Sequence, residues 1–76
     1  MEPQVEALND IQRQLVESGW KWEMWTLSKG WWVLPGSEDP AKRIRRGDPK
    51  PYLYAALLTA YLYTDIEIPA TVRGMV

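Results

Sequence analysis

Five tryptophans lie between positions 20 and 32, in the stretch WKWEMWTLSKGWWVL (20–34), and the rest of the 76-residue chain has none. The stretch alternates. Trp20, Trp22, Met24 and Thr26 fall on one side of an extended strand, and Lys21, Glu23, Trp25 and Leu27 on the other. A chain of this length is near the size at which one core barely suffices, and it has no cysteine from which to build disulfides. Each large aromatic buries roughly 150–250 Å², so tryptophan is one way to make a small core dense. The question is which of the five go to that core.

The triplet Ser28-Lys29-Gly30 reads as a three-residue turn closed by a glycine bulge. That turn sets Leu27 opposite Trp31, Trp25 opposite Val33, and Met24 opposite Leu34. One face then carries Trp20, Trp22, Met24, Thr26, Trp32 and Leu34, the better core. The other carries Lys21, Glu23, Trp25, Leu27, Trp31 and Val33, charged at one end and apolar at the tip.

Before the hairpin, Val5, Leu8, Ile11, Leu15 and Val16 recur at helical spacing, with Pro3 suited to the first turn and Gly19 to the position past the end. Glu6, Asp10, Arg13 and Glu17 mark the opposite, solvated face. After the hairpin, Pro35–Pro40 is a turn cluster, and AKRIRRG (41–47) suits a short, charged edge strand. Asp48-Pro49 reads as a cap and first position of a second helix, which runs without charge from Tyr52 to Tyr63. A helix apolar nearly all round needs cover on more than one side. Residues 64–76 read as an extended, partly frayed tail. The prediction is one α+β domain over 1–76, α-β-β-(β)-α, an antiparallel hairpin sheet with two helices on one face.

The chemistry is bounded by what is missing. There is no histidine and no cysteine, which excludes Ser-His-Asp and Cys-His arrangements and the usual zinc sites. No glycine-rich phosphate loop is present. Asp65 and Glu67 are an ordinary surface pair, and Arg46-Gly47-Asp48 is a chance tripeptide whose aspartate serves as a helix cap. No enzyme, metal or cofactor is therefore expected. No leader sequence opens the chain, and the longest uncharged run, Pro51–Thr64, is too short to span a bilayer. A cytoplasmic protein without membrane contact is expected.

Net charge is −1, unevenly spread: residues 41–50 hold +4 and the remainder −5. Arg43, Arg45 and Arg46 beside aromatic residues are the one nucleic-acid signal, opposed by the acidic first helix. If both helices cover the first sheet face, Trp25, Leu27, Trp31 and Val33 form an exposed apolar patch, and such patches mark contact sites.

The layout EALNDIQRQLVESGWKWEMW…GWWVL…GDPKPYLYAALLTAYL resembles small orphan proteins of phages and prophages, which are short helix, aromatic hairpin and final helix. That resemblance implies inhibition by occupying a surface of a host machine, such as a CRISPR complex, another defence protein or RNA polymerase. GDPKPYLYAALLTAYL is similar to the end of HicB-like antitoxin domains. The element order also resembles double-stranded-RNA-binding domains, although DPKP replaces their lysine cluster. The expected function is a non-catalytic binding protein that masks a surface of a larger protein, through Trp25, Leu27, Trp31 and Val33, with Arg43, Arg45 and Arg46 steering. The alternatives are a nucleic-acid accessory protein using 42–46 and a self-associating structural subunit. Tyr54, Leu58, Tyr61 and Leu62 are the candidate contacts of a homodimer or hetero-complex.

Overall fold

Helix α1 spans Pro3–Glu17 and buries Leu8, Ile11 and Leu15, the centre of the expected stripe. Val5 and Val16, at its margins, remain substantially exposed. The helix ends on Gly19, whose φ of 100° lies where only glycine is unstrained. The Trp20 N–H donates back to the Leu15 carbonyl and the Gly19 N–H to the Val16 carbonyl, each at 3.0 Å. This is a Schellman closure, and the residues at its two ends, Leu15 and Trp20, are both buried in the core. It delivers the chain straight into the hairpin. In the computed structural model, residues 3–35 and 48–76 are described.

Strands β1 (Lys21–Met24) and β2 (Lys29–Val33) pair antiparallel, with Trp22 opposite Trp32, Glu23 opposite Trp31 and Met24 opposite Gly30. The expected pairing of Met24 with Leu34 is thus displaced by four residues. An even displacement preserves the parity of the pleat, so every side chain keeps its predicted face. Two local facts explain the shift. A Cβ on Gly30 would run into the Glu23 carbonyl oxygen and lie 2.8 Å from Cζ2 of the Trp22 ring. Gly30 therefore serves as a strand residue beneath an aromatic ring, and its φ is not positive. The turn falls instead on the loop Trp25–Ser28, which Thr26 closes.

Among the described residues the third strand is β3 (Lys50–Pro51), antiparallel to β2, which places β2 between β1 and β3. The edge strand expected over 41–47 lies outside the described residues. Helix α2 (Tyr52–Tyr63) follows β3 directly, with Pro51 in the cap position and no side-chain cap. The expected start at Asp48-Pro49 is corrected: β3 pairing holds Lys50 and Pro51 extended, which delays the helix to Tyr52. Helix α2 turns Ala55, Ala56, Leu57, Thr59 and Ala60 inward. The buried Thr59 hydroxyl donates to the Ala55 carbonyl at 2.8 Å, which removes the cost of an unmet donor. Beyond it, residues 64–69 form neither helix nor strand and bury Ile68. A short helix, α3 (Ala70–Arg73), then buries Val72 and packs on α1. Arg73 donates to the Ile68 carbonyl at 2.8 Å. The tail expected to be extended thus contributes two core side chains.

These elements share one core, in which residues of α1, α2 and the tail surround Trp20 and Trp32, with Trp22 and Leu34 packed against them. The fold is the expected small α+β domain. Among the described residues no helix is long and apolar enough to cross a membrane. The expected core face needs correction: Thr26 is exposed in the loop and Leu34 is half-buried. Trp22 is only half-buried, and Met24 is 59% exposed because its cross-strand neighbour is a glycine with no side chain to pack on.

Trp32 is the buried hinge between sheet and helices. Its ring meets Trp22 at 5.5 Å and Tyr52 at 5.1 Å, and Tyr52 meets Trp22 edge-on at 4.7 Å. The Trp32 indole N–H donates to the Tyr52 carbonyl at 3.3 Å. Trp32→Ala should cost about 3–5 kcal/mol, comparable with the whole stability of so small a domain. A thermal midpoint that did not move on this substitution would contradict the packing described.

Partial burial raises the Tyr52 phenol above the ordinary value of 10.0, and a side-chain hydrogen bond with Gln12 of α1 offsets part of that rise. Because the folded-state value is the higher one, the neutral phenol stabilises the fold at all pH values below about 10 and that contribution is lost as pH rises through the folded value. Chemical denaturation across pH 9–12 should therefore show a shallower alkaline loss in Tyr52→Phe than in the parent protein. Equal slopes would mean that Tyr52 carries no such linkage.

Candidate functional site

The loop between β1 and β2 is held by its own hydrogen bonds. The Trp25 and Thr26 N–H groups both donate to the Lys29 carbonyl at 2.9 Å. The Thr26 hydroxyl oxygen accepts from the N–H groups of Lys29 at 3.1 Å and Ser28 at 3.4 Å. A side chain that accepts from backbone two and three residues on is a common device for fixing a turn. Here it fixes a turn whose apolar residues face outward. Leu27 is 98% exposed, Trp25 63% and Met24 59%.

This tip differs from the expected patch in its membership. Trp25 and Leu27 belong to it, as foreseen. Trp31 and Val33 are on the expected second face, opposite Glu23 and Lys21, but both are half-buried and neither packs on the core cluster. Met24 joins the tip instead. Its periodicity pointed to the core, and the signal that would have placed it outside is Gly30 directly across the ladder, visible only once the register is known. Arg43, Arg45 and Arg46 lie outside the described residues.

A second apolar surface lies on α2. Tyr54, Leu58, Tyr61 and Leu62 recur at i, i+4, i+7 and i+8, a single stripe diametrically opposed to the inward alanines. Tyr61 is 54% exposed and Leu62 56%, while Tyr54 and Leu58 are half-buried. The inward face sets the small residues Ala55, Ala56, Thr59 and Ala60 around Leu57, which lets α1 and the sheet approach α2 closely. Asp65 and Glu67 follow the helix, exposed. Among the described residues no three acidic side chains gather where a cation could be held.

Comparison of the chain with protein-family models, with curated proteins and with solved structures gives no match. The reading of function therefore rests on the two surfaces.

Proposed function

We propose that the protein is a non-catalytic binding protein that docks its hairpin tip on a larger protein and masks the surface it covers. The observation that supports this reading is the tip itself: Trp25 and Leu27 exposed on a turn pinned by Thr26, with Met24 exposed at the end of β1. Large apolar side chains exposed together on an ordered turn are characteristic of contact sites. The residue types suit the role. Tryptophan is enriched among interface hot spots, and methionine adapts its shape to irregular partners. A turn that is ordered before binding also avoids part of the entropic cost of association. Masking a surface in this way is how the phage-type inhibitors that the chain resembles in layout act, and we place it in that class, with a host protein or complex as target.

The proposal is tested by capturing the partner from cell lysate with and without nuclease, then measuring its affinity for tip variants. Trp25→Ala and Leu27→Ser should each weaken binding by about 2 kcal/mol, close to thirtyfold, and leave the thermal midpoint nearly unchanged. Affinity should fall only slightly as salt rises, and nuclease should have no effect. Normal binding by both tip variants, with binding abolished when Arg43, Arg45 and Arg46 are neutralised together, would overturn the reading in favour of nucleic-acid binding.

A further inference from the structure

Strand β1 stands at an edge of the sheet: among the described residues it pairs with β2 and with no other strand. The phase of its hydrogen bonds decides which of its backbone groups are left over. The Trp25 N–H donates to the Lys29 carbonyl, and bonded pairs alternate with non-bonded ones along an antiparallel ladder. Glu23 with Trp31 and Lys21 with Val33 are therefore bonded pairs, and Trp22 and Met24 turn their N–H and C=O groups away from β2. The same phase sets Pro51, which has no N–H, opposite Lys29, whose carbonyl is turned toward β1. Among the described residues no group takes up the N–H of Trp22 or of Met24.

Edges of this kind are commonly blunted by a proline, a bulge or charge of one sign, which repels a second copy. Strand β1 has no proline and no bulge, and its two charged side chains, Lys21 and Glu23, are exposed and opposite in sign. That pattern is complementary to itself run backwards. Few antiparallel registers of β1 on a second β1 match the outward backbone groups. A two-fold axis at Lys21 sets lysine against lysine, one at Glu23 sets glutamate against glutamate, and one at Met24 pairs no opposite charges. An axis at Trp22 sets Lys21 of each copy against Glu23 of the other, the favourable cross-strand pair. It also joins the outward N–H and C=O groups of the two Trp22 residues, and brings the Met24 N–H of each copy level with the Trp20 carbonyl of the other. We infer that the protein forms a homodimer in which two β1 strands pair antiparallel about Trp22 and join two sheets into one.

The neighbouring charges agree with this register. It brings the hairpin tip of each copy toward the C-terminal end of α1 in the other, where the charge of the tip is Lys29 and the last charge of α1 is Glu17. Asp48 and Lys50 lie beside β3, at the opposite edge of the sheet. On the helical side the half-buried Trp22 ring lies beside its copy, which removes from water apolar surface that one chain leaves exposed. Every contact is repeated by symmetry, as an isologous interface requires. A strand of four residues offers much less than the roughly 800 Å² per partner of a standard stable interface, so the dimer is weak and reversible. Leu27, at the apex of the turn, takes no part in the pairing.

Sedimentation equilibrium from about 10 μM to 1 mM, with NMR on the same samples, tests this. The parent protein should pass reversibly from monomer to dimer mass. As it does, the Trp22 amide should become protected from exchange, whereas the Glu23 amide, already bonded to β2, should not change. In a half-labelled sample an intermolecular contact should join the α-protons of Lys21 and Glu23, which face each other in a non-bonded pair. Glu23→Lys and Lys21→Glu should each weaken the dimer about tenfold or more, with the thermal midpoint unchanged. An equimolar mixture of these two proteins should recover it as a heterodimer, and so should the double variant carrying both changes, as a homodimer. A Leu27→Ser variant should dimerise as the parent does. Monomer mass for the parent protein at 1 mM would overturn the proposal. So would a dimer whose Trp22 amide stays unprotected, one indifferent to both charge changes, or one lost in Leu27→Ser. Charge variants that weaken the dimer but do not recover on mixing would overturn the register about Trp22.

Discussion

The burial of Trp32 is the contact on which the rest of the structure depends. Among the described residues the sheet has three strands, the third of them Lys50–Pro51, and by itself such a sheet could not hold a side chain out of water. Trp32 lies on the central strand, and its ring contacts Trp22 from the neighbouring strand and Tyr52 from the first residue of α2. Its indole N–H is met by the Tyr52 carbonyl, one of the backbone groups near a helix start that the sheet can reach. Helix α2 in turn packs on α1. A single line of contacts therefore joins hairpin, second helix and first helix, and Trp20 closes it again through the end of α1.

That line decides what is left outside. The core is satisfied by residues on one sheet face, and the hairpin extends past it. Met24 and the loop beyond have nothing on the helical side to cover them, because Gly30 offers no side chain and Leu27 stands at the apex of the turn. On α2 the same economy operates in reverse. Ala55, Ala56, Thr59 and Ala60 face inward around Leu57, where α1 and the sheet approach closely, and Tyr61 and Leu62 are carried on the outside. The two exposed apolar surfaces are thus consequences of how a very small core is filled, and each is also a surface that a partner can cover.

The fold class, the helical stripe of α1 and the assignment of residues to sheet faces were legible in the sequence, because each rests on a strict period. Leu8, Ile11 and Leu15 are core residues at helical spacing, and Trp20 and Trp32 are core residues at even strand parity. What failed was position along an element. Ser28-Lys29-Gly30 has the composition of a turn, yet a long-range demand overrode it: the Trp22 ring needs the glycine beneath it. Asp48-Pro49 has the composition of a helix start, yet pairing with β2 keeps the chain extended for two more residues. Met24 was misplaced for the same reason, since its exposure follows from the register and from no property of methionine. The apolar circumference of α2 implied cover on more than one side; of the four candidate contacts Tyr61 and Leu62 are exposed, while Tyr54 and Leu58 are half-buried and Tyr54 packs on the core. The tip was visible in part, through Trp25 and Leu27; the way Thr26 pins it was not, since that depends on loop hydrogen bonds no period encodes.

The central claim is that the tryptophans divide between a buried joint and an exposed tip. Solvent exchange of the indole N–H groups, followed by NMR on the isolated protein, tests it most directly. The account predicts that the Trp32 indole exchanges only through global unfolding, because it is buried and donates to the Tyr52 carbonyl. It predicts that the Trp25 indole, 63% exposed as a residue, exchanges at close to the rate of an unfolded chain. A protected Trp25 indole together with a freely exchanging Trp32 indole would contradict it.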